Sequence, residues 1–166
     1  MRTHDVTNRE SGWMAKVRGR GKVGDVLKID LGNGVFGFGR ILDSPLMGFY
    51  DLQSREAVSI VDVVKSPMLF RVWVMNYAVK SDNWEILGNL PLEDALKVKP
   101  RFFKQDPLNK KYSIYYDSKD TPAAREDCIG LERAAVWNPE HVENRLRNHF
   151  AGVPDPMTER LKVPDA

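Results

Sequence analysis

The sequence predicts a mainly β (α+β) fold, a small, strongly bent antiparallel sheet with a C-terminal helix. Three observations predict it. Short segments of period-2 alternation recur along most of the chain. Gly, Asn and Asp turn signals separate them. The one clear helical pattern comes late. The 166 residues suit one domain, and a chain of this size buries roughly two-thirds of its unfolded surface, enough for a core without staples.

Residues 1–20 are polar and basic without sustained period, so a flexible N-terminal arm is expected. A single β-rich domain is expected over 21–150. In "VGDVLKIDL", Leu27, Ile29 and Leu31 point one way and Lys28 and Asp30 the other, as in a half-buried strand. "VFGFGRIL" alternates again, with Phe36, Phe38, Arg40 and Leu42 on one face. "MGFYDLQ" and "AVSIVDVV" read as a third and a fourth strand, and "MLFRVWVMNYAV", apolar on both faces, as a central one. "WEILG" is a further strand that Gly88 ends.

"PLEDAL" suits a short helix with Pro91 in its first position and Glu93 and Asp94 in its first turn. "RFFKQD", "PLN" and "KKYSIYYD" read as strand, turn and strand. Ser118 to Asp127 reads as an acidic loop and "GLERAAVW" as one more strand. "NPEHVENRLRNHF" is the clearest helix, with Asn138 as N-cap, Pro139 after it, and Val142, Leu146 and His149 or Phe150 along one face. Residues 151–166 form a Pro-rich C-terminal tail, expected to be disordered or wrapped around the surface. Many short strands with late helices point to a bent sheet or an SH3-like barrel.

Composition bounds the function. Basic residues number 25 against 23 acidic ones, a net charge of +2, which argues against a dedicated nucleic-acid binder. A single cysteine, Cys128, excludes an internal disulfide and fits a reducing, cytoplasmic location. The first twenty residues hold no apolar h-region, so no secretory signal is expected. No apolar run approaches the roughly 20 residues that span a bilayer, so no membrane partner is expected.

Gly32, Gly34 and Gly37 in "LGNGVFGFGR" spell G-x-G-x-x-G, the dinucleotide fingerprint. That fingerprint needs a helix after the glycines, whereas the next residues alternate Phe and Gly. Asn33-Gly34 between two alternating runs instead signals a hairpin, because a type I′ turn wants positive φ at both central residues. Gly37 and Gly39 then let the next strand bend. No cofactor is expected.

Other chemistry is weak. His4, His141 and His149 have no partner at i, i+3 or i, i+4, so no metal site is expected. No G-x-S-x-G elbow is present, and a lone Cys128 reads as a small buried hydrophobe. Asp25, Asp43, Asp51 and Asp62 suit turns and caps. Trp73, Tyr77, Trp84, Phe102, Phe103, Tyr112, Tyr115 and Tyr116 read chiefly as core. Phe102 and Phe103 adjoin a basic stretch of Lys97, Lys99, Arg101, Lys104, Lys110 and Lys111, the best case for nucleic-acid contact. Acidic residues concentrate in two places: Asp82, Glu85, Glu93 and Asp94, then Asp117, Asp120, Glu126 and Asp127. Such stretches suit solvated loops or the reception of a basic partner.

"VGDVLKIDLGNGVFGFGRIL", "GFYDL", "LFRVWVMNYAV" with "WEILGNLPL", and "GLERAAVWNPEHVENRLRNHF" together resemble the immunity protein 26 family of bacterial polymorphic toxin systems, from about Gly21 to Phe150. The resemblance implies a small, mainly β protein that neutralises a cognate protein toxin, without catalysis or cofactor. Gly24-Asp25, Gly37 to Arg40 and Trp84 match the family pattern and read as fold determinants. The toxin-binding candidates are the eight acids of the two acidic stretches. The alternative is a nucleic-acid-binding module with an SH3-like barrel, using Lys97 to Lys111. Neither reading says anything of oligomeric state.

Overall fold

The structure is a computed structural model that describes residues 21–165; the arm expected over 1–20 lies outside them. β1 (Asp25–Gly32), β2 (Val35–Ile41) and β3 (Leu46–Ser54) succeed one another as antiparallel neighbours. After α1 (Ile60–Val63), β4 (Met68–Val74) adds to β3. A 3-10 turn at Asn76–Lys80 then leads to β5 (Trp84–Asn89), which returns to pair with β1. With the short β10 (Val136–Trp137) parallel to β4, the first sheet has the order β10-β4-β3-β2-β1-β5.

Between β5 and β10 lie α2 (Asp94–Lys97), β6 (Phe102–Gln105), β7 (Tyr112–Tyr116), β8 (Lys119–Ala123), α3 (Arg125–Cys128) and β9 (Glu132–Arg133). Their strands form a second sheet, β8-β7-β6-β9. α4 (Pro139–Ala151) and α5 (Pro156–Leu161) end the described chain. The protein is mainly β, as the alternation predicts, but its strands divide between two mixed sheets.

Alternation places the core. Leu27, Ile29 and Leu31 of β1 join Phe49, Phe70, Val72 and Trp84 in the main cluster, which Val142 and Leu146 of α4 cover. Val26, Phe38 and Tyr50 face the other way and pack on Val63 of α1. The first sheet is therefore apolar on both faces, with a helix on each. A third cluster of Leu42, Leu46 and Phe102, flanked by Trp73 and Tyr115, joins the two sheets.

The glycine-rich hairpin forms as its spelling predicts. Asn33 (φ 55°) and Gly34 (φ 75°) are the two central residues of the turn between the paired Gly32 and Val35. Two steps along β2, from Gly37 to Gly39, span four along β3, from Gln53 to Phe49. This irregularity bends the sheet. At Gly39 a Cβ would lie 2.9 Å from the Phe49 ring and 3.0 Å from the Gly48 carbonyl oxygen, so only glycine permits the approach.

Several elements depart from expectation. "AVSIVDVV" is not a strand: Ser59 Oγ accepts the Asp62 N–H at 3.2 Å and starts the single turn α1. A short apolar run carries no period of its own, and the cap decides. The long central strand stops at Val74, because β3 begins at Leu46, opposite Trp73, and offers no partner beyond. "PLEDAL" turns later than Pro91, with Glu93 as the N-cap.

Within Ser118 to Asp127, expected as loop, stands β8, joined to β7 through Asp117 and Ser118, both at positive φ. Pro122 hid this strand. It is tolerated because β8 is the sheet's edge. "GLERAAVW" gives two short strands, one to each sheet. In the Pro-rich tail, Asp155 caps α5, and Met157 and Leu161 pack against the main cluster.

Candidate functional site

Two of the family-like elements, Gly24-Asp25 and Arg40, meet in one polar node. Gly24 (φ 93°) turns the chain so that the buried Asp25 carboxylate accepts the Lys22 N–H and Asn89 Nδ2, each at 2.9 Å. Arg40 is fully buried beside it. Its Nε donates to Gly24 O at 2.9 Å, and its Nη2 to Leu90 O at 2.7 Å and Pro91 O at 3.0 Å. Its Nη1 reaches the Tyr50 hydroxyl at 3.1 Å and Glu93 at 3.2 Å. Burial raises the Tyr50 pKa, against the opposing hydrogen bond from Arg40. The node ties β1, β2, β3 and the end of β5 together, and every donor of Arg40 is used within the fold.

A second node docks α4. The buried Glu143 carboxylate accepts Trp84 Nε1 at 2.8 Å and Asn83 Nδ2 at 3.2 Å. Arg145 is bidentate to Glu132, at 3.0 and 2.7 Å, and lies 3.7 Å over the Phe70 ring. His149, one of the histidines weighed as a metal ligand, meets Asp51 at 2.9 Å. Cys128 is buried, and burial, then Asp127, push its thiol pKa up, so it holds its proton.

The eight acidic candidates come from β5 and the turn before it, from α2 and its N-cap, from the β7–β8 hairpin and from α3. Asp82 lies in the turn before β5, and Glu85 on β5 itself. Glu93 is half-exposed and held by Arg40. Asp94 stands 3.7 Å from Lys97. On the β7–β8 hairpin, Asp117 pairs with Lys99 at 2.8 Å and Asp120 with Lys104 at 3.1 Å. Glu126 and Asp127 sit in the first turn of α3. Among the described residues, Glu85, Glu126 and Asp127 make no side-chain hydrogen bond or ion pair. Among those residues also, no three His, Cys, Asp or Glu side chains gather closely enough to hold a metal ion.

The basic stretch is interleaved with these acids. Lys97, Lys99 and Lys104 each have a carboxylate partner, and Arg101 lies 5.5 Å over the Tyr116 ring. Acids and bases thus alternate at these positions, while Lys110 and Lys111 make no ion pair among the described residues.

Sequence reasoning missed the cleft between the sheets. Trp73 of β4 stacks on Phe102 of β6 with ring centres 4.6 Å apart and meets Tyr115 of β7 edge-on at 5.4 Å. These rings line a cleft of about 360 Å³ whose rim carries Asp43, Lys99 and Asp117. The hydrogen bond from Lys99 to Asp117 raises the lysine pKa, and Asp43 adds to the rise. The six residues come from four separate stretches of chain, at 43, 73, 99–102 and 115–117, and no local pattern brings them together. Their only sequence signal was the density of aromatics near the basic stretch.

No helix of the described residues is long and apolar enough to cross a membrane. Comparison with curated proteins and with solved structures returns no match. A family model described as Immunity protein 26 matches residues 22–114, from just before β1 into β7 and including both halves of the Arg40 node. By that match over more than half its length, the chain belongs to the immunity protein 26 family.

Proposed function

We infer that this protein silences a cognate protein toxin by binding it and covering the active or substrate-binding face, in the cytoplasm of the cell that makes it. The family match carries this reading. An immunity protein must leave almost no free toxin, which asks for nanomolar affinity or better, about −12 kcal/mol. An interface of roughly 1,600 Å² supplies that when its anchor residues are well packed. No catalytic role is assigned.

The acids Asp82, Glu85, Glu93, Asp94, Asp117, Asp120, Glu126 and Asp127 are the proposed contributors to the toxin interface. Glu85, Glu126 and Asp127 are the strongest of them, because no internal partner among the described residues competes for them. Glu93 is the weakest, being held by Arg40. The strand order β4-β3-β2-β1-β5, with a 3-10 turn before β5, supports the SH3-like description of the first sheet. Pairing of Lys97, Lys99 and Lys104 with carboxylates weighs against the nucleic-acid alternative.

Co-expression with the adjacent upstream open reading frame tests the reading. Rescue from that gene's toxicity, with co-purification of the two proteins, is expected. Absence of both, or salt-sensitive binding to RNA or DNA in its place, sinks the proposal.

A further inference from the structure

We propose that the cleft between the two sheets receives an arginine side chain presented by the protein partner. The inference rests on the protein-partner reading of the function. The cleft walls are aromatic: Phe102 closes the bottom, with Trp73 and Tyr115 half-buried above it. Among the cleft's own lining residues, two carboxylates, Asp43 and Asp117, stand against one ammonium, Lys99, while Lys119 acts on Asp117 from outside the cleft.

The rim also has unused acceptors. Lys99 Nζ donates to Asp117 Oδ1 at 2.8 Å. Asp117 Oδ2 and the Asp43 carboxylate accept no hydrogen bond among the described residues. Aromatic walls with an anionic lip select a cation that carries apolar surface. Guanidinium fits best, because it is flat, weakly hydrated and able to stack while it donates to two carboxylates. The same fold already uses this chemistry internally, with Arg145 3.7 Å over Phe70 and Arg133 4.7 Å over Phe103. The volume is at the small end for ligand pockets, which suits one side chain.

The test is an NMR titration of the full-length protein alone, with a blocked Gly-Arg-Gly tripeptide at millimolar concentration. The controls are the same peptide carrying citrulline, and free argininamide. Saturating shifts at the Trp73 indole N–H and at Tyr115 are expected with arginine and not with citrulline, which keeps the shape and loses the charge. Asp43→Asn should weaken binding about fivefold, and Asp43→Lys should abolish it. Asp43 is exposed, so both variants should melt with the parent.

Three results overturn the proposal: equal response to citrulline, no response at Trp73 and Tyr115, or full binding by Asp43→Lys. Two more do so as well. Binding of argininamide without the tripeptide would mean a small-molecule site. A response that appears only after removal of residues 1–20 would mean that the chain's own basic segment is the occupant. The titration needs no toxin, so its failure is separable from failure of the co-expression test.

Discussion

Arg40 is the residue on which the fold's buried polar contacts converge. It satisfies acceptors on three separate segments from a position with no exposed surface. Lysine cannot reproduce that fork. Arg40→Lys should cost about 2 kcal/mol or more, because Leu90 O and Pro91 O lose a buried donor. Glu93→Gln should cost under about 1 kcal/mol, since Glu93 is half-exposed. Urea denaturation of both variants checks this, and equal losses would refute the asymmetry. The two bend glycines separate in the same way. Gly39→Val drives a side chain into Phe49 and the Gly48 carbonyl and should cost about 3 kcal/mol. Gly37→Ala meets only Leu146 and Leu31, at 3.3 Å, and should cost under about 1 kcal/mol. A Gly37 variant that loses as much as the Gly39 one would move the bend to the wrong residue.

Among the elements, α5 shows how a tail becomes structure. Asp155 accepts the Thr158 N–H at 2.9 Å, Thr158 Oγ1 at 2.7 Å and Asn148 Nδ2 at 2.7 Å. Burial alone would raise its pKa, and these hydrogen bonds, with Arg145, outweigh burial and lower it. A carboxylate with a depressed folded pKa contributes stability that is present above its ordinary value, about 3.9, and is lost as the pH falls through the folded one. Asp155→Ala should therefore cost about 1–2 kcal/mol near neutral pH. The gap from the parent should close in acid below about pH 4. Thermal melts of both proteins across that range decide it; a gap independent of pH would exclude the carboxylate charge as the cause. β8 makes a related point. Its proline, in the interior of the strand, suits an edge position, so the acidic segment is a presented hairpin.

For the molecule as a whole, charge bears on partner choice more than on fold. With a net charge of +2 and Lys97, Lys99 and Lys104 paired to nearby acids, long-range attraction for a partner depends on the charges that stand alone. Reversing Glu126 and Asp127 together to Lys should slow toxin association about tenfold at low salt and leave folding intact. Stopped-flow association with the cognate toxin reads this. Unchanged rates, with full protection of cells, would place α3 outside the interface.

The residues themselves determined what local physical chemistry can write. Asn33-Gly34 demanded positive φ and made the hairpin. Strict alternation in β1 assigned Leu27, Ile29 and Leu31 to the core, and Pro139 with Val142 and Leu146 set the start and the buried face of α4. The order of the glycine, aromatic and Arg40 elements carried the family. Tertiary structure alone decided whatever depends on segments distant along the chain. It ended the long strand at Val74, where β3 runs out opposite Trp73, and it split one apparent sheet into two. It committed Glu93 to Arg40 and two of the eight acids to Lys99 and Lys104, and it opened a cleft between Trp73 and Tyr115. Pairing and burial are relations between residues tens of positions apart, and no local period encodes them.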